Sequence, residues 1–312
     1  MMPLLGYGTS HVLGTSPDDP GYLAIKAAIK CGYRHLDTAA LYGNEEAVGL
    51  AIRDCINDGL VSRKDLFICT KVWCTAHKRA SVMRACKESL KKLGLDYVDL
   101  YLIHWPVAYA EDGDPINPKD ETTGKLRYSD THFTETWLGL EDVKDANLAK
   151  SIGVSNFNHE MTDAIFSMPC KHKPTVNQVE CHPYLSQQKL LDYSNKSGIV
   201  LTAYCPLGSP GSCAKPGQPV LLEDPLIKKL ASKYGRSPAQ IAIRYQIQRN
   251  VSAIPKSVSP ERIRENFDVM DFSITLEDMN SLLSLNRNLR YCLDTAGENV
   301  SDHPLYPFHI EF

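Results

Sequence analysis

Asp37, Tyr42, Lys71 and His104 are side-chain types that could together pass a proton to a carbonyl oxygen. A phenol with an ordinary pKa of about 10 is a poor acid at neutral pH. A lysine ammonium beside it stabilises the phenolate and lowers that value. Asp37 would hold such an ammonium in place and keep it charged. A neutral His104 would donate a hydrogen bond to the substrate oxygen and orient it. Tyr204 offers an aromatic face for a heteroaromatic ring, and Ser155, Asn156 and Gln178 carry donors and acceptors suited to a carboxamide. Each of these residues taken alone has an ordinary explanation, since tyrosines in turns usually pack, strand-end lysines are usually solvated and solitary histidines are usually structural. Their positions carry the argument. Asp37, Lys71, His104, Ser155 with Asn156, Gln178 and Tyr204 each close a short apolar run, and Tyr42 lies just beyond Asp37.

A second group is Ile254-Pro-Lys256-Ser257-Val258-Ser259-Pro260-Glu261-Arg262. Ser259 reads as an N-cap with Pro260 at the first helical position. Free amides at a helix start bind phosphate, and Lys256 and Arg262 add a point charge and a fork there. A capped surface helix with two solvated charges accounts equally well for this segment by itself. Together with a ring-stacking tyrosine on the preceding strand, it reads as a phosphorylated nucleotide site.

The elements that must position these groups follow from periodicity. Strands are expected over 4–9, 33–37, 66–71, 97–104, 151–155, 175–180, 199–204 and 251–255. Helices are expected over 21–31, with Leu23, Ala24, Ala27 and Ala28 on one face, and over 44–57, with Asn44 as N-cap before Glu45 and Glu46. Further helices fall at 78–93, closed by Gly94, 133–146, 158–167, 186–196, 238–248, 260–270 and 275–285. Helix 238–248 carries a capping box of Ser237 and Gln240, with Pro238 at its first position. Two loops, 106–132 and 205–224, are too long to be plain connectors, and an irregular tail runs over 287–312. Eight short strands, apolar on both faces and alternating with helices, predict an α/β fold: a (β/α)8 TIM barrel in one domain over 1–312, with the two loops and the tail at its C-terminal face. A doubly wound open sheet is the second choice. Gly6-Tyr-Gly8-Thr-Ser is followed by His11, so the dinucleotide fingerprint of that fold is absent, as is a phosphate loop of the Walker type.

The chain has 312 residues, 43% apolar and 23% charged, with a net charge of -3. That is ordinary globular composition. It has no basic run, which argues against a nucleic acid or anionic membrane partner. No stretch of about 18 apolar residues and no signal peptide is legible. Ten cysteines without a Cys-x-x-Cys pair suit reduced thiols in a cytoplasmic protein, and a monomer is expected.

Seven motifs carry a resemblance across nearly the whole chain. They are Gly32-Tyr-Arg-His-Leu-Asp37-Thr-Ala-Ala-Leu-Tyr42-Gly-Asn44-Glu45, Lys71-Val-Trp73-Cys74, Leu102-Ile-His104-Trp105-Pro106, Ile152-Gly-Val-Ser155-Asn156-Phe157, Asn177-Gln178-Val-Glu-Cys-His182-Pro183, Tyr204-Cys-Pro206-Leu207-Gly208-Ser209 and Ile254-Pro-Lys256-Ser257. In this order they resemble the aldo-keto reductase family, and its aldose and aldehyde reductase branch in particular. The resemblance implies a barrel that uses NADPH without a Rossmann domain and reduces the carbonyl of an aldehyde or ketone, its small-molecule partner, with no metal. It implies Tyr42 as proton donor, Lys71 and Asp37 as its tuning pair, and His104 as the group that orients the carbonyl. It implies Thr9, Asp37, Ser155, Asn156, Gln178 and Tyr204 around the nicotinamide, and Cys205, Leu207 and Ser209 in a loop, 205–213, folded over the pyrophosphate. Lys256, Ser257, Val258, Arg262, Glu265 and Asn266 would take the adenosine 2'-phosphate end, the two basic residues favouring NADP over NAD.

Tyr42, Trp73, His104, Trp105 and Cys292 would line the substrate pocket. Cys292 matches a pocket-rim cysteine of that branch and could make the enzyme oxidation-sensitive. Ser10 stands where close relatives carry a pocket tryptophan, and Cys213 where another aromatic is usual. A wider, less aromatic pocket is therefore expected, open to bulky or steroid-like ketones. The N-terminal hairpin that plugs the barrel bottom in the family is largely missing from this sequence. The alternatives are a cofactor-binding but inactive barrel, against which intact Asp37, Tyr42, Lys71 and His104 argue, and a metal-dependent hydrolase using Asp37, His104 and His182, for which the histidine spacing gives no support.

Overall fold

Eight parallel strands succeed one another around a ring in chain order. A computed structural model describes residues 1–12, 16, 18–210 and 216–312. The strands are β1 (Gly6–Gly8), β2 (His35–Asp37), β3 (Phe67–Val72), β4 (Val98–Ile103), β5 (Ala149–Ser155), β6 (Val176–Glu180), β7 (Val200–Tyr204) and β8 (Ser252–Ala253). Leu5 forms a parallel bridge to Ala253. The Ala253 N–H donates to Leu4 O at 2.7 Å and the Gly8 N–H to Pro255 O at 3.0 Å, so β8 meets β1 and the ring closes as a (β/α)8 barrel.

Alternation along each strand divides inside from outside. Tyr7, Leu36, Ile68, Tyr101, Ile103, Ile152 and Val154 face out and share one buried cluster with helix residues such as Ile25, Ile29, Val48 and Ile52. Cys69, Leu100, Leu102 and Val176 form a separate cluster, joined by Met2 and Phe67. Inside the ring there is little room at β1. A Cβ on Gly6 would lie 2.6 Å from His35 Nδ1, and one on Gly8 would lie 2.8 Å from Ile254 O. His35 itself stacks edge-on against Phe67 at 5.0 Å and lies 3.3 Å from Pro3 O. Met2, His35 and Phe67 thus occupy the barrel bottom.

Among the described residues there are ten α-helices: α1 (Pro20–Cys31), α2 (Glu45–Asn57), α3 (Arg79–Leu93), α4 (Phe133–Asp145), α5 (His159–Phe166), α6 (Gln188–Ser197), α7 (Pro225–Tyr234), α8 (Pro238–Gln248), α9 (Pro260–Phe267) and α10 (Leu276–Leu283). Gly94 ends α3 in the left-handed region at φ 64°, and the capping box of Ser237 with Gln240 opens α8. Three expectations are corrected. Leu23 is exposed, because α1 buries Tyr22, Ile25 and Ile29 along the heavier apolar stripe. Asn44 holds the N-cap position of α2 but makes no capping bond, its side chain being used elsewhere. The helix α7 was not foreseen, although Asp224 caps it through the Leu226 N–H and Pro225 opens it. Among the described residues no helix is long and apolar enough to cross a membrane.

Helices α2 and α3 approach each other through Gly49. A Cβ there would sit 2.2 Å from Leu93 O, a backbone atom that cannot swing aside. Gly49→Ala is expected to cost about 1–3 kcal/mol through this overlap. Urea unfolding should show a lower midpoint with an unchanged slope; an unchanged midpoint would mean that the helices separate freely.

Candidate active site

The strand ends deliver their polar residues to one mouth of the barrel. Asp37, the last residue of β2, pairs with Cys69 in register, and Lys71 lies two residues further along β3 on the same side. The Lys71 Nζ donates to Asp37 Oδ1 at 2.6 Å and to Thr38 O at 2.9 Å, with no exposed surface on the lysine side chain and 2% on the aspartate. It lies 3.5 Å from the Tyr42 hydroxyl. The 3₁₀ turn Ala40–Tyr42 carries that tyrosine and ends on Gly43 at φ 65°. Asn44 clamps the turn. It accepts from Thr38 Oγ1 at 2.8 Å and donates to Thr9 O at 2.7 Å and Val12 O at 3.0 Å. The Thr9 hydroxyl and N–H both donate to Asp37 O at 3.0 Å.

A second network meets the first through Asp37. Gln178 Nε2 donates to Asp37 Oδ2 at 2.7 Å. The Ser155 hydroxyl donates to Gln178 O at 2.8 Å, and Asn156 Nδ2 to His104 O at 3.0 Å and Ser155 Oγ at 3.3 Å. The Tyr204 hydroxyl donates to Asn156 Oδ1 at 2.8 Å, which ties the far end of its ring. His104 stands edge-on to Tyr42, with ring centroids 5.6 Å apart, and to Trp73, 5.3 Å apart. Among the described residues its buried Nδ1 has no hydrogen-bond partner.

Burial and charge set the protonation states. Burial opposes the Lys71 ammonium, but Asp37, Tyr42 and Cys69 beside it together outweigh burial and hold the amine above its usual range. Burial, aided by Lys71, keeps the His104 imidazolium well below its ordinary pKa, so the ring is neutral. The phenol departs from expectation. Burial pushes Tyr42 up to about 12, and the nearby ammonium pulls it down without overcoming that. Neither Tyr42 nor His104 should therefore titrate between about pH 7 and 9 in the cofactor-free protein. NMR of ring-labelled tyrosine and histidine checks this, and a Tyr42 phenolate signal at about pH 9 would contradict it.

Along the rim, Cys205 and Ser209 adopt left-handed backbone at φ 48° and 51° with Gly208 at 71° between them, and Leu207 is half-buried. Residues 211–213 of the loop, with Cys213, lie outside the described residues. Past β8, Ser259 caps α9 by accepting from the Arg262 N–H at 3.3 Å, and Ser257 O accepts from the Tyr7 hydroxyl at 2.6 Å. Lys256, Val258, Arg262 and Glu265 are exposed around this helix start, while Asn266 is buried.

The long loop and the tail build an apolar wall over the mouth. Trp73, Trp105, Tyr109, Val300 and Tyr306 pack together with Phe308 against them. Trp73 Nε1 donates to Ile116 O at 2.9 Å, Tyr109 bonds to Thr295, and Asn117 Nδ2 donates to Ala296 O at 3.2 Å. Glu180, fully buried, accepts from His182 Nε2 and from the N–H groups of Tyr291 and Cys292, at 3.0, 2.7 and 2.9 Å. His182 is thus engaged structurally. Tyr306, Phe308 and Glu180 belong to this site and were not singled out from sequence. A lone carboxylate in Asn-Gln-Val-Glu180 and aromatics in an irregular tail give no periodic signal.

A (β/α)8 barrel that gathers its polar side chains at the C-terminal ends of its strands carries its functional site there. A family model described as "Aldo/keto reductase family" matches residues 4–287. The chain is 49% identical over 315 residues to estradiol 17 beta-dehydrogenase 5 of Mus musculus, and 48% identical over 314 residues to aldo-keto reductase family 1 member C1 of Homo sapiens. It is 49% identical over 317 residues to member C4 of Homo sapiens; each alignment covers 100% of this chain and 95% of the relative. The chain belongs to the aldo/keto reductase family.

Proposed function

We propose that this protein is an NADP-dependent alcohol dehydrogenase that works as a carbonyl reductase, with Tyr42 as the acid. The observation that supports it most is the placement of the Lys71 ammonium, 2.6 Å from Asp37 and 3.5 Å from the Tyr42 hydroxyl. A reduced nicotinamide, when bound, supplies the hydride. Tyr42 then gives its proton to the oxygen of the nascent alkoxide, a much stronger base than a phenolate. A phenol held up at about 12 stays protonated at pH 7 until that base appears. Lys71 stabilises the phenolate left behind. Neutral His104 donates its ring N–H to the carbonyl oxygen and so orients it.

The donor set suits the cofactor. Thr9, Asp37, Ser155, Asn156 and Gln178 make a ledge of amide, hydroxyl and carboxylate groups, and the tethered Tyr204 ring beside it suits a nicotinamide. Cys205, Leu207 and Ser209 would lie along the pyrophosphate. Lys256, Ser257, Val258, Arg262, Glu265 and Asn266 would hold the adenosine 2'-phosphate end, with the two cations supplying the charge. Lys256→Ala is expected to weaken NADPH binding by about tenfold, the loss of one charge-assisted contact, and to leave NADH within about twofold. Fluorescence titration of both cofactors checks it, and equal weakening would place the phosphate elsewhere.

The apolar wall of Trp73 and Trp105, extended by Tyr306 and Phe308, favours a bulky apolar carbonyl such as a steroid ketone, with Cys292, which packs against the neighbouring cluster of Leu221 and Tyr291, at its rim. The dehydrogenase named for estradiol among the relatives points the same way. We take the protein to act as a cytoplasmic monomer on a small-molecule carbonyl. NADPH oxidation over a panel of aromatic aldehydes, sugars and steroid ketones tests the reading. Binding of NADPH without turnover of any of them would overturn it.

A further inference from the structure

Two thiols meet at the mouth of the barrel. Cys205 Sγ lies 3.6 Å from Cys292 Sγ, although 87 residues separate them in the chain. Both residues are half-buried. The backbone holds each in place. Cys205 sits in the left-handed region at φ 48°, directly after Tyr204, whose hydroxyl is tied to Asn156. Cys292 donates its N–H to the buried Glu180 carboxylate at 2.9 Å, next to Tyr291, which does the same at 2.7 Å. A disulfide has its sulfurs about 2.05 Å apart. The gap here is wider by about 1.5 Å, a distance that side-chain rotation at two partly open positions can cover.

We propose that Cys205 and Cys292 are an oxidisable pair whose disulfide staples the turn at 205–209 to the C-terminal tail and slows the enzyme. The oxidant is a peroxide or a small disulfide. With hydrogen peroxide, one thiolate attacks an oxygen, breaks the O–O bond and becomes a sulfenic acid as water leaves. The second thiol attacks that sulfur, the S–S bond forms, and a second water carries away the oxygen. Two thiols are oxidised and one peroxide is reduced to two waters. Proximity favours the second step.

The consequence follows from what each cysteine is joined to. One strand of the staple continues from the Tyr204 ring and leads into Leu207 and Ser209. The other continues into Thr295, Val300 and Tyr306, which close the apolar wall. A bond between the sulfurs ties the turn to the tail and restricts how far either can move at the mouth. The slowing rests on the cofactor reading given above, since it takes the turn at 205–209 to lie along the cofactor. The bond itself does not depend on that reading.

The test uses the full chain, treated with hydrogen peroxide and then digested without reductant. The expected product is an intramolecular Cys205–Cys292 peptide lighter by two hydrogens, with the protein still one chain on a non-reducing gel. NADPH turnover should fall about tenfold and return with dithiothreitol. Cys205→Ser and Cys292→Ser, each compared with itself before and after oxidation, should lose the crosslinked peptide and the dithiothreitol-reversible change. Oxidation of the two sulfurs separately, with no joined peptide, overturns the pair. A joined peptide with undiminished turnover overturns its control of the site. A reduced protein that oxidises no NADPH with any carbonyl sinks the reductase reading instead, and the peptide map then decides the pair alone.

Discussion

Tyr42→Phe is expected to lower carbonyl turnover about 10³-fold or more, in the range of a lost general acid. NADPH binding should stay within about twofold. The substitution removes one oxygen. The ring keeps its place against His104, and Lys71 keeps both Asp37 and Thr38 O. The hydroxyl's tie to Lys71 is long, at 3.5 Å, so little packing depends on it. The defect should therefore appear in kcat and in kcat/KM together, the pattern of an interaction made only in the transition state. Single-turnover oxidation of bound NADPH, followed by fluorescence, measures this without interference from product release. A variant that turns over at the wild-type rate would move the acid to another residue.

Lys71→Met has the second large effect, and it falls on the fold as well as the chemistry. The ammonium is completely buried and the Asp37 carboxylate nearly so. Removing the cation leaves the carboxylate without its charged partner, while the Gln178 amide still donates to it at 2.7 Å. Breaking a buried pair from one side costs about 3–5 kcal/mol. Denaturant unfolding should show this loss. Adding Asp37→Asn should recover part of it, because the unpaired charge goes with it. Turnover should fall at least as far as in Tyr42→Phe. A Lys71→Met protein as stable as the parent would mean that the buried pair adds nothing to the stability of the fold.

Much of the rim could be read in one dimension because parallel strands place chain order in register. Apolar strands ending in Asp37, Lys71, Ser155, Gln178 and Tyr204 need only a closed ring to converge, and eight βα units supply it. Local rules also served well where the signal was local, as in the capping box of Ser237 and Gln240 and the cap at Ser259. They misled where a side chain had a stronger distant use. Asn44 gives up helix capping to join Thr38, Thr9 and Val12. Helix α7 had its own cap and proline, but it follows a stretch rich in proline, glycine and serine that reads as loop. The contacts that shape the substrate wall join residues far apart, such as Tyr109 with Thr295 and Glu180 with Tyr291, and no spacing rule reaches that far. The direction of the Tyr42 shift was hidden for another reason. A neighbouring ammonium can be guessed from sequence, but the degree of burial that outweighs it cannot.

The central claim is that one nicotinamide hydride and one proton from Tyr42 convert a carbonyl into an alcohol. It is tested most directly with NADPH carrying deuterium at C4 on the transferring face, a ketone substrate, and mass spectrometry of the product from wild type and Tyr42→Phe in parallel. The expected product is an alcohol with one deuterium on the carbinol carbon from the wild type and almost none from the variant, although the variant binds the cofactor. Unlabelled alcohol from the wild type, or labelled alcohol formed equally fast by both proteins, would contradict it.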